Sequence, residues 1–199
     1  MLTKQSAIKW PSVPNVYNWL MLDGRGNWLI KREKISHKGL IDFINAQYTA
    51  DDTGRWFFQN GPQRVFVTLE CTPYVLSVET DDSFMYFKTH TGQAIKIIDK
   101  LWIDNIGRLL VSWNGHIGLV SDRDLPYLTA KLNSSGSKDQ INLSDLDFIK
   151  HQTQSGSRTP LNLIMNETVH NVLFINELQI SRVFEFDCNP QPPQGDPDC

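Results

Sequence analysis

The sequence predicts an α+β fold, mostly antiparallel β, arranged as two small β-rich units that each carry a short helix. Turn-forming residues recur every several positions between Arg55 and Val120, with Val, Ile, Phe and Trp between them, as in a run of hairpins. The best helical stretch follows Ser36, where Leu40, Ile41, Phe43, Ile44 and Tyr48 recur at three- and four-residue steps. Nowhere do strands and helices alternate as a doubly wound parallel sheet requires.

Taken in order, residues 1–14 hold Pro11 and Pro14 and suit an extended arm. The first unit, 15–79, opens with Tyr17–Leu22. An Asp23-Gly24-Arg25-Gly26-Asn27 turn and the run Trp28–Lys31 complete a hairpin. Ser36 is the expected N-cap of the helix, its hydroxyl accepting a first-turn amide. Arg55–Gln59 then turns at Asn60-Gly61-Pro62 into Arg64–Glu70, and Tyr74–Val78 follows Pro73. The second unit, 80–187, continues with Phe84–Thr89, Gln93–Ile98, Arg108–Trp113 and His116–Val120. A short helix is expected over Asp124–Leu132, with Pro126 in its first turn. Residues 133–160 read as a polar loop with one helical turn near Ser144–Lys150. The alternation of Phe184 and Phe186 with Val183 and Glu185 reads as a half-buried strand. Residues 188–199 contain four prolines and read as a disordered tail.

Asp23–Ile30 can be laid over Asp104–Val111 at an offset of 81, and Asp52-Thr53-Gly54 is a shorter echo. In each copy Asp can bond its own downstream amides, and Gly supplies a positive φ without a Cβ clash. This predicts positive φ at Gly26 and Gly107. The match reads either as an internal duplication or as repeated use of one turn in a hairpin-rich chain.

Of 199 residues, 40% are hydrophobic and 21% charged, the usual balance of a folded chain. The net charge of -3 carries no excess of Lys and Arg for a general phosphate-binding surface, so no nucleic acid is expected as a partner. No stretch approaches the ~20 apolar residues of a membrane-spanning helix, and no apolar run follows the first lysines. Three scattered cysteines, Cys71, Cys188 and Cys199, fit a cytoplasmic protein with reduced thiols. The sequons at Asn133, Asn142 and Asn166 then read as chance matches.

The chain has no nucleophile elbow, Walker loop or dinucleotide fingerprint. Its five histidines stand at no ligand spacing from one another or from a cysteine, so neither a metal nor a cofactor is expected, and no catalytic residue is assigned. The carboxylate pairs Asp51/Asp52 and Asp81/Asp82 fall in turns, where solvation is the ordinary state. The most informative stretch is Gly54–Val78. Strand alternation puts Arg64 and Phe66 on one face of their strand. If Trp56 or Phe57 lies beside them, the sheet carries an aromatic-plus-arginine surface, a common recognition chemistry. Trp56, Arg64 and Phe66 are therefore the candidate binding residues. The alternative places these rings against a second layer as core.

Trp10–Tyr17, Gly54–Val65 and Thr72–Leu76 carry a resemblance to an uncharacterised family of small proteobacterial cytosolic proteins, of the domain-of-unknown-function kind. The element order is also similar to a second uncharacterised bacterial family. The first resemblance covers residues 10–130. It implies a bacterial cytosolic protein of two β-rich units and transfers no activity. Two functions follow as expectations. The first is a non-enzymatic binding or adaptor module for a protein or small-molecule ligand. The second is a hydrolase-like enzyme with a dispersed site drawn from Asp104, His116 and Asp122.

Overall fold

The computed structural model describes residues 10–134 and 160–193. The expected helical turn near Ser144–Lys150, the sequon at Asn142, Cys199 and the far end of the tail lie outside the described residues. The fold is β-rich, with two mixed sheets that are mostly antiparallel, and it divides into two compact units. The first holds residues up to Pro73 and takes back the chain from Glu185 onward; the second is Tyr74–Phe184. The boundaries thus fall at 73/74 and 184/185 rather than 79/80 and 187/188. Tyr74 opens a strand of the second sheet, and Asp187 and Cys188 bond to the first.

The first unit contains β1 (Asn15–Leu22), β2 (Trp28–Ile30), β3 (Glu33–Lys34), α1 (Lys38–Ala46), β4 (Tyr48–Ala50), β5 (Trp56–Asn60) and β6 (Gln63–Leu69). Their order in the sheet is β3-β2-β1-β6-β5-β4, with β1 parallel to β6 and every other pair antiparallel. Residues 10–14 run along this sheet: Arg64 N–H donates to Pro14 O, and Gln63 Nε2 donates to Pro11 O. The helix begins one residue later than Ser36 suggested. His37 is its N-cap, with Nδ1 accepting the Leu40 amide at 3.2 Å, so an imidazole does the work expected of a hydroxyl. Tyr48 has left the helix and opens β4. On the core side Ile44 is fully buried, Phe43 sets its ring edge-on to Phe58, and Asn45 Oδ1 accepts the Trp28 indole N–H at 2.7 Å.

The second unit contains β7 (Tyr74–Asp81), β8 (Phe84–Thr89), β9 (Ala94–Ile95), β10 (Lys100–Asp104), β11 (Leu109–Trp113), β12 (His116–Val120), α2 (Leu125–Thr129), β13 (Leu132–Ser134), β14 (Leu161–Met165) and β15 (Thr168–Ile175). A 3-10 turn at Glu177–Gln179 leads into α3 (Ile180–Val183). The sheet order is β13-β14-β15-β10-β11-β12-β7-β8-β9, with β10 parallel to β15 and β7 parallel to β12. The short helix ends at Thr129 rather than at Leu132, because Leu132 pairs with Leu163 as a strand residue. Asp124 leaves its first turn uncapped and instead accepts the Val78 amide. The strand expected at Val183–Phe186 does not form. Val183 ends α3, and Glu185 adopts φ 52°, which breaks an extended run. Asn166 turns its amide onto Met85, donating to the carbonyl and accepting the N–H, both at 2.7 Å.

Both units follow one plan. Counted from the first strand of each, the order is 3-2-1-6-5-4 with strands 1 and 6 parallel; the second unit adds β15, β14 and β13 beyond β10. The register agrees as well. Thr49 faces Phe57 and Phe57 faces Phe66; at an offset of 53, Trp102 faces Leu110 and Leu110 faces Leu119. The offset of 81 is thereby corrected to 53, from Asp51 to Asp104. Asp23 lies in the turn after strand 1, whereas Asp104 lies in the turn after strand 4, so those two turns are not equivalent positions. The shorter echo is the equivalent one, with its turn built on Asp51 rather than on Asp52.

All three turns close alike. Asp23 Oδ1 accepts the amides of Arg25 and Asn27, Asp51 Oδ1 those of Thr53 and Arg55, and Asp104 Oδ1 those of Ile106 and Arg108. The fourth residue of each is a glycine at positive φ: Gly26 at 77°, Gly54 at 78° and Gly107 at 87°. The fifth returns a side chain to the other carboxylate oxygen, from Asn27 Nδ2, Arg55 Nε and Arg108 Nε at 2.8, 2.8 and 2.6 Å. The sequence expectation for Gly26 and Gly107 is met.

The returning segment seats on the first of these equivalent turns. Asp187 N–H donates to Gly54 O, Leu69 N–H donates to Cys188 O, and Phe186 and Pro190 are buried. The start of the proline-rich tail is therefore docked. A Cβ at Gly54 would lie 2.2 Å from Glu185 O, whereas one at Gly115 would meet nothing within 4 Å. Gly54→Ala combines left-handed strain with this clash and is expected to cost about 2–5 kcal/mol. Gly115→Ala carries only the strain, about 1–2 kcal/mol. Urea melts of the two variants test the docking, and equal losses would mean that the returning segment does not seat there.

Candidate ligand groove in the first unit

The candidate residues from the sequence fall on two faces of one sheet. Phe57 pairs with Phe66, so Phe57, Arg64, Phe66 and Thr68 share a face, and Trp56 with Phe58 occupies the other. Phe66 is nearly coplanar with Tyr17, at 4.6 Å between centroids and 4° between planes, and Phe57 sits 5.7 Å from Phe66. Arg55 and Arg64 lie over these rings, at 5.0 Å from Phe66 and 4.9 Å from Phe57. Phe57, rather than Trp56, is thus the neighbour of Arg64 and Phe66. The three rings are buried and Arg64 is exposed. Trp56 packs on the core side, 4.8 Å from Tyr48.

Beside this stack, on the same face, lies a groove of 890 Å³. Its floor is Leu29, Met21 and Thr68, which are register partners across β2, β1 and β6. Its opening traces to β1. Val16 and Leu20 face Val65 and Val67, so four steps on β1 match two on β6. The excess is a bulge centred on Asn18, which takes φ 60°. In the second unit, Tyr74 to Leu76 runs opposite Gly118 to Val120 with no such excess. The groove therefore forms where the two copies of the plan differ.

The rim comes from the β2–β3 turn. Lys31 and Arg32 both adopt left-handed backbone, with φ 49° and 68°. Two positive φ values define the type I′ turn, which favours Asn-Gly because other side chains strain there. Elsewhere this chain closes turns of that length with Asn114-Gly115, Asp82-Ser83 and Asn166-Glu167, all at positive φ. The backbone holds Lys31 in place, since its N–H donates to Trp19 O at 2.9 Å, and the Lys31 ammonium stands 3.8 Å over the Trp19 ring. No carboxylate among the described residues pairs with Lys31 or Arg32. The site thus combines an apolar floor, one indole wall and two cations. The β1 run reads as an uninterrupted strand in the sequence, and Lys-Arg is not a turn signal, so neither feature announces itself there.

The dispersed catalytic set does not converge. Asp104 is fully buried and bound to its own turn and to Arg108, while His116 is exposed at the opposite end of β11. Asp122 is exposed beyond β12. Among the described residues, no group of three or more His, Cys, Asp or Glu side chains is placed to hold a metal ion, and no helix is long and apolar enough to cross a membrane.

Two titratable groups carry stability, His90 with a buried ring and Asp51 half-buried in its turn. His90 has its Nε2 buried and its Nδ1 accepting the Val75 amide, and desolvation lowers its pKa to about 3. At Asp51 burial pushes the pKa upward. Hydrogen bonds from Thr53 and Arg55 outweigh it and bring the pKa down to about 2.

The arrangement defines a β-rich protein of two units on one repeated six-strand plan, with a cationic groove in the first. The chain belongs to the family DUF2944, described as "Protein of unknown function (DUF2946)", whose model matches residues 1–191. No curated protein matches its sequence. Among solved structures it is similar to a DUF1285 family protein from Silicibacter pomeroyi. That match has a TM-score of 0.51 and 10% identity, and covers 80% of this chain and 81% of that one. A DUF1285 family protein from Shewanella baltica gives a TM-score of 0.43 at 16% identity, covering 64% of this chain and 96% of that one. At 10% identity, the Silicibacter likeness is one of fold alone.

Two expectations follow. Trp56→Ala removes a buried ring and should cost about 3–5 kcal/mol, whereas Arg64→Ala should cost under about 1 kcal/mol. Urea melts of both decide the matter, and a mild Trp56→Ala would put that ring outside the core. The second concerns pH. The unfolded chain protonates His90 near its ordinary value of 6.5, while the folded chain resists down to about 3. Stability is then full above pH 7 and falls between pH 6.5 and 3, by up to about 1.4 kcal/mol per unit. Asp51 adds its own loss only below its ordinary value of 3.8. His90→Asn keeps an acceptor for Val75 and should flatten the pH 4–6.5 slope; an unchanged slope would assign the effect elsewhere.

Proposed function

We propose that the protein is a non-enzymatic binding module whose ligand seats in the groove of the first unit. The observation that carries this reading is a coincidence at one place. The β1 bulge, which β7 of the second unit lacks, opens an apolar floor, and two cations with no carboxylate partner among the described residues stand on left-handed backbone at its rim. Backbone strain of about 1–3 kcal/mol per residue persists where something other than stability selects it. Of the two occupants that the sequence leaves open, a partner protein or a small molecule, the concavity favours the small molecule. Ligand pockets span roughly 300–1,000 Å³, a range that includes this one.

A thermal-shift screen of small metabolites tests the reading, with wild type beside Thr68→Phe. Thr68 is half-buried on the floor, so the larger ring fills the groove without entering the core. A genuine ligand at a hundredfold over its Kd adds about 2.7 kcal/mol, several degrees of melting temperature. Thr68→Phe should lose that shift. Hits that survive the filled groove, or a screen without hits, would sink the reading.

A further inference from the structure

We infer that the groove selects an amphipathic anion, a carboxylate or phosphate on an apolar body, held by Lys31 and Arg32 at the rim and by Trp19, Met21 and Leu29 below. The inference rests on the groove being the binding site and adds the chemistry of its occupant. The charge argument is direct. Arg32 projects from a two-residue turn between β2 and β3, and no described carboxylate neutralises it. A guanidinium presents a planar fork of donors that matches a carboxylate or phosphate with two hydrogen bonds. The nearest acid in sequence, Glu33, is exposed and does not line the groove. Lys31 is held by its backbone bond to Trp19 O, so the second cation is fixed relative to the floor.

The apolar argument comes from the other walls. Met21 and Leu29 face each other across β1 and β2, and both are only half-buried. An apolar chain or ring laid on them removes that surface from water, which inorganic phosphate alone does not do. Thr68, Asn18 and Asn189 supply the polar edge. The turn itself supplies the third argument. Left-handed non-glycine pairs also close the hairpins at Asp82-Ser83 and Asn166-Glu167; among the described residues the Lys31-Arg32 turn is the one of these built from two cations, the side chains that an anion needs.

The test uses the full chain and four probes: octanoate, octyl phosphate, octyltrimethylammonium and inorganic phosphate. Amide and indole chemical shifts of residues 18–32 and 68 report occupancy. Two variants accompany the wild type. K31N/R32G removes both charges and relieves the turn; K31Q/R32Q removes the charges and keeps the strain. The expected result is saturable binding of octanoate or octyl phosphate, at least tenfold tighter than the ammonium or inorganic phosphate. Both variants should lose at least tenfold, and K31N/R32G alone should melt about 2–4 °C higher. Equal binding of all three amphiphiles, with both variants like wild type, would overturn the anion inference and leave the groove as a binding site. Inorganic phosphate binding as tightly as octyl phosphate would overturn the amphipathic class. No perturbation of groove residues by any probe at millimolar concentration overturns the inference. Together with a silent screen, it overturns the binding-site reading too.

Discussion

The closure of the Asp-x-x-Gly turn is the interaction on which the rest of the structure depends. One carboxylate oxygen takes two amides that the reversing chain would leave unpaired, and glycine takes the backbone where a Cβ would clash. The other oxygen takes a guanidinium from the residue just before the next strand, Arg55 or Arg108. The turn is therefore locked at both ends of the carboxylate, and strand register follows from it. Because register sets which side chains share a face, this turn decides that Thr49 meets Phe57 in the first unit and that Trp102 meets Leu110 in the second.

With register shared at an offset of 53, differences between the units become readable as departures from a common plan. Strand 1 departs most. In the second unit β7 runs straight past β12, and a Cβ on Gly118 would stand 2.7 Å from the Leu76 side chain, so backbone and side chain are closely packed there. In the first unit the corresponding position on β6 is Val65, and β1 bulges just beyond it. A bulge leaves backbone outside the ladder. On the side facing β2, the Trp19 carbonyl accepts the Lys31 amide one step beyond the last β1–β2 pair, which ties the bulged strand to the β2–β3 turn. The floor and rim of the groove are therefore one coupled feature.

The hairpins were legible in the sequence because their chemistry is local: Asp and Gly at fixed spacing state the turn and its register together. The β-rich class followed from that alone. The parallel pairs β1–β6, β7–β12 and β10–β15 were not legible, since nothing local records which distant strand lies alongside. The repeat was read at the wrong offset for a related reason: the Asp23 turn matches the Asp104 turn in chemistry, and only the strand order separates them. Alternation separated Phe57 from Trp56 but did not say which of them joins Phe66, and the sequence grouped Trp56 with Arg64 and Phe66; the identity of the core face depended on α1, which places Phe43 against Phe58 on the Trp56 side. The end of the chain misled because Val183–Phe186 alternates like a strand, yet α3 and the positive φ of Glu185 turn it back to the first unit.

The Lys31-Arg32 turn makes the sharpest contrast between stability and chemistry. At Asn114-Gly115 the chain closes a two-residue hairpin with the pair that tolerates positive φ. At Lys31-Arg32 it closes one with two residues that each give up about 1–2 kcal/mol in that conformation. Solubility does not require the choice, because charged residues are available at unstrained positions on the same hairpin, Glu33 and Lys34 among them. Nor does the fold require it, because Asn-Gly would hold the same register. What the pair supplies that Asn-Gly cannot is two cations above a half-exposed apolar floor, with one cation fixed by a backbone bond to the bulge that opens the floor. The strained turn and the strand-1 bulge, joined by the Lys31–Trp19 backbone bond, therefore meet at the groove.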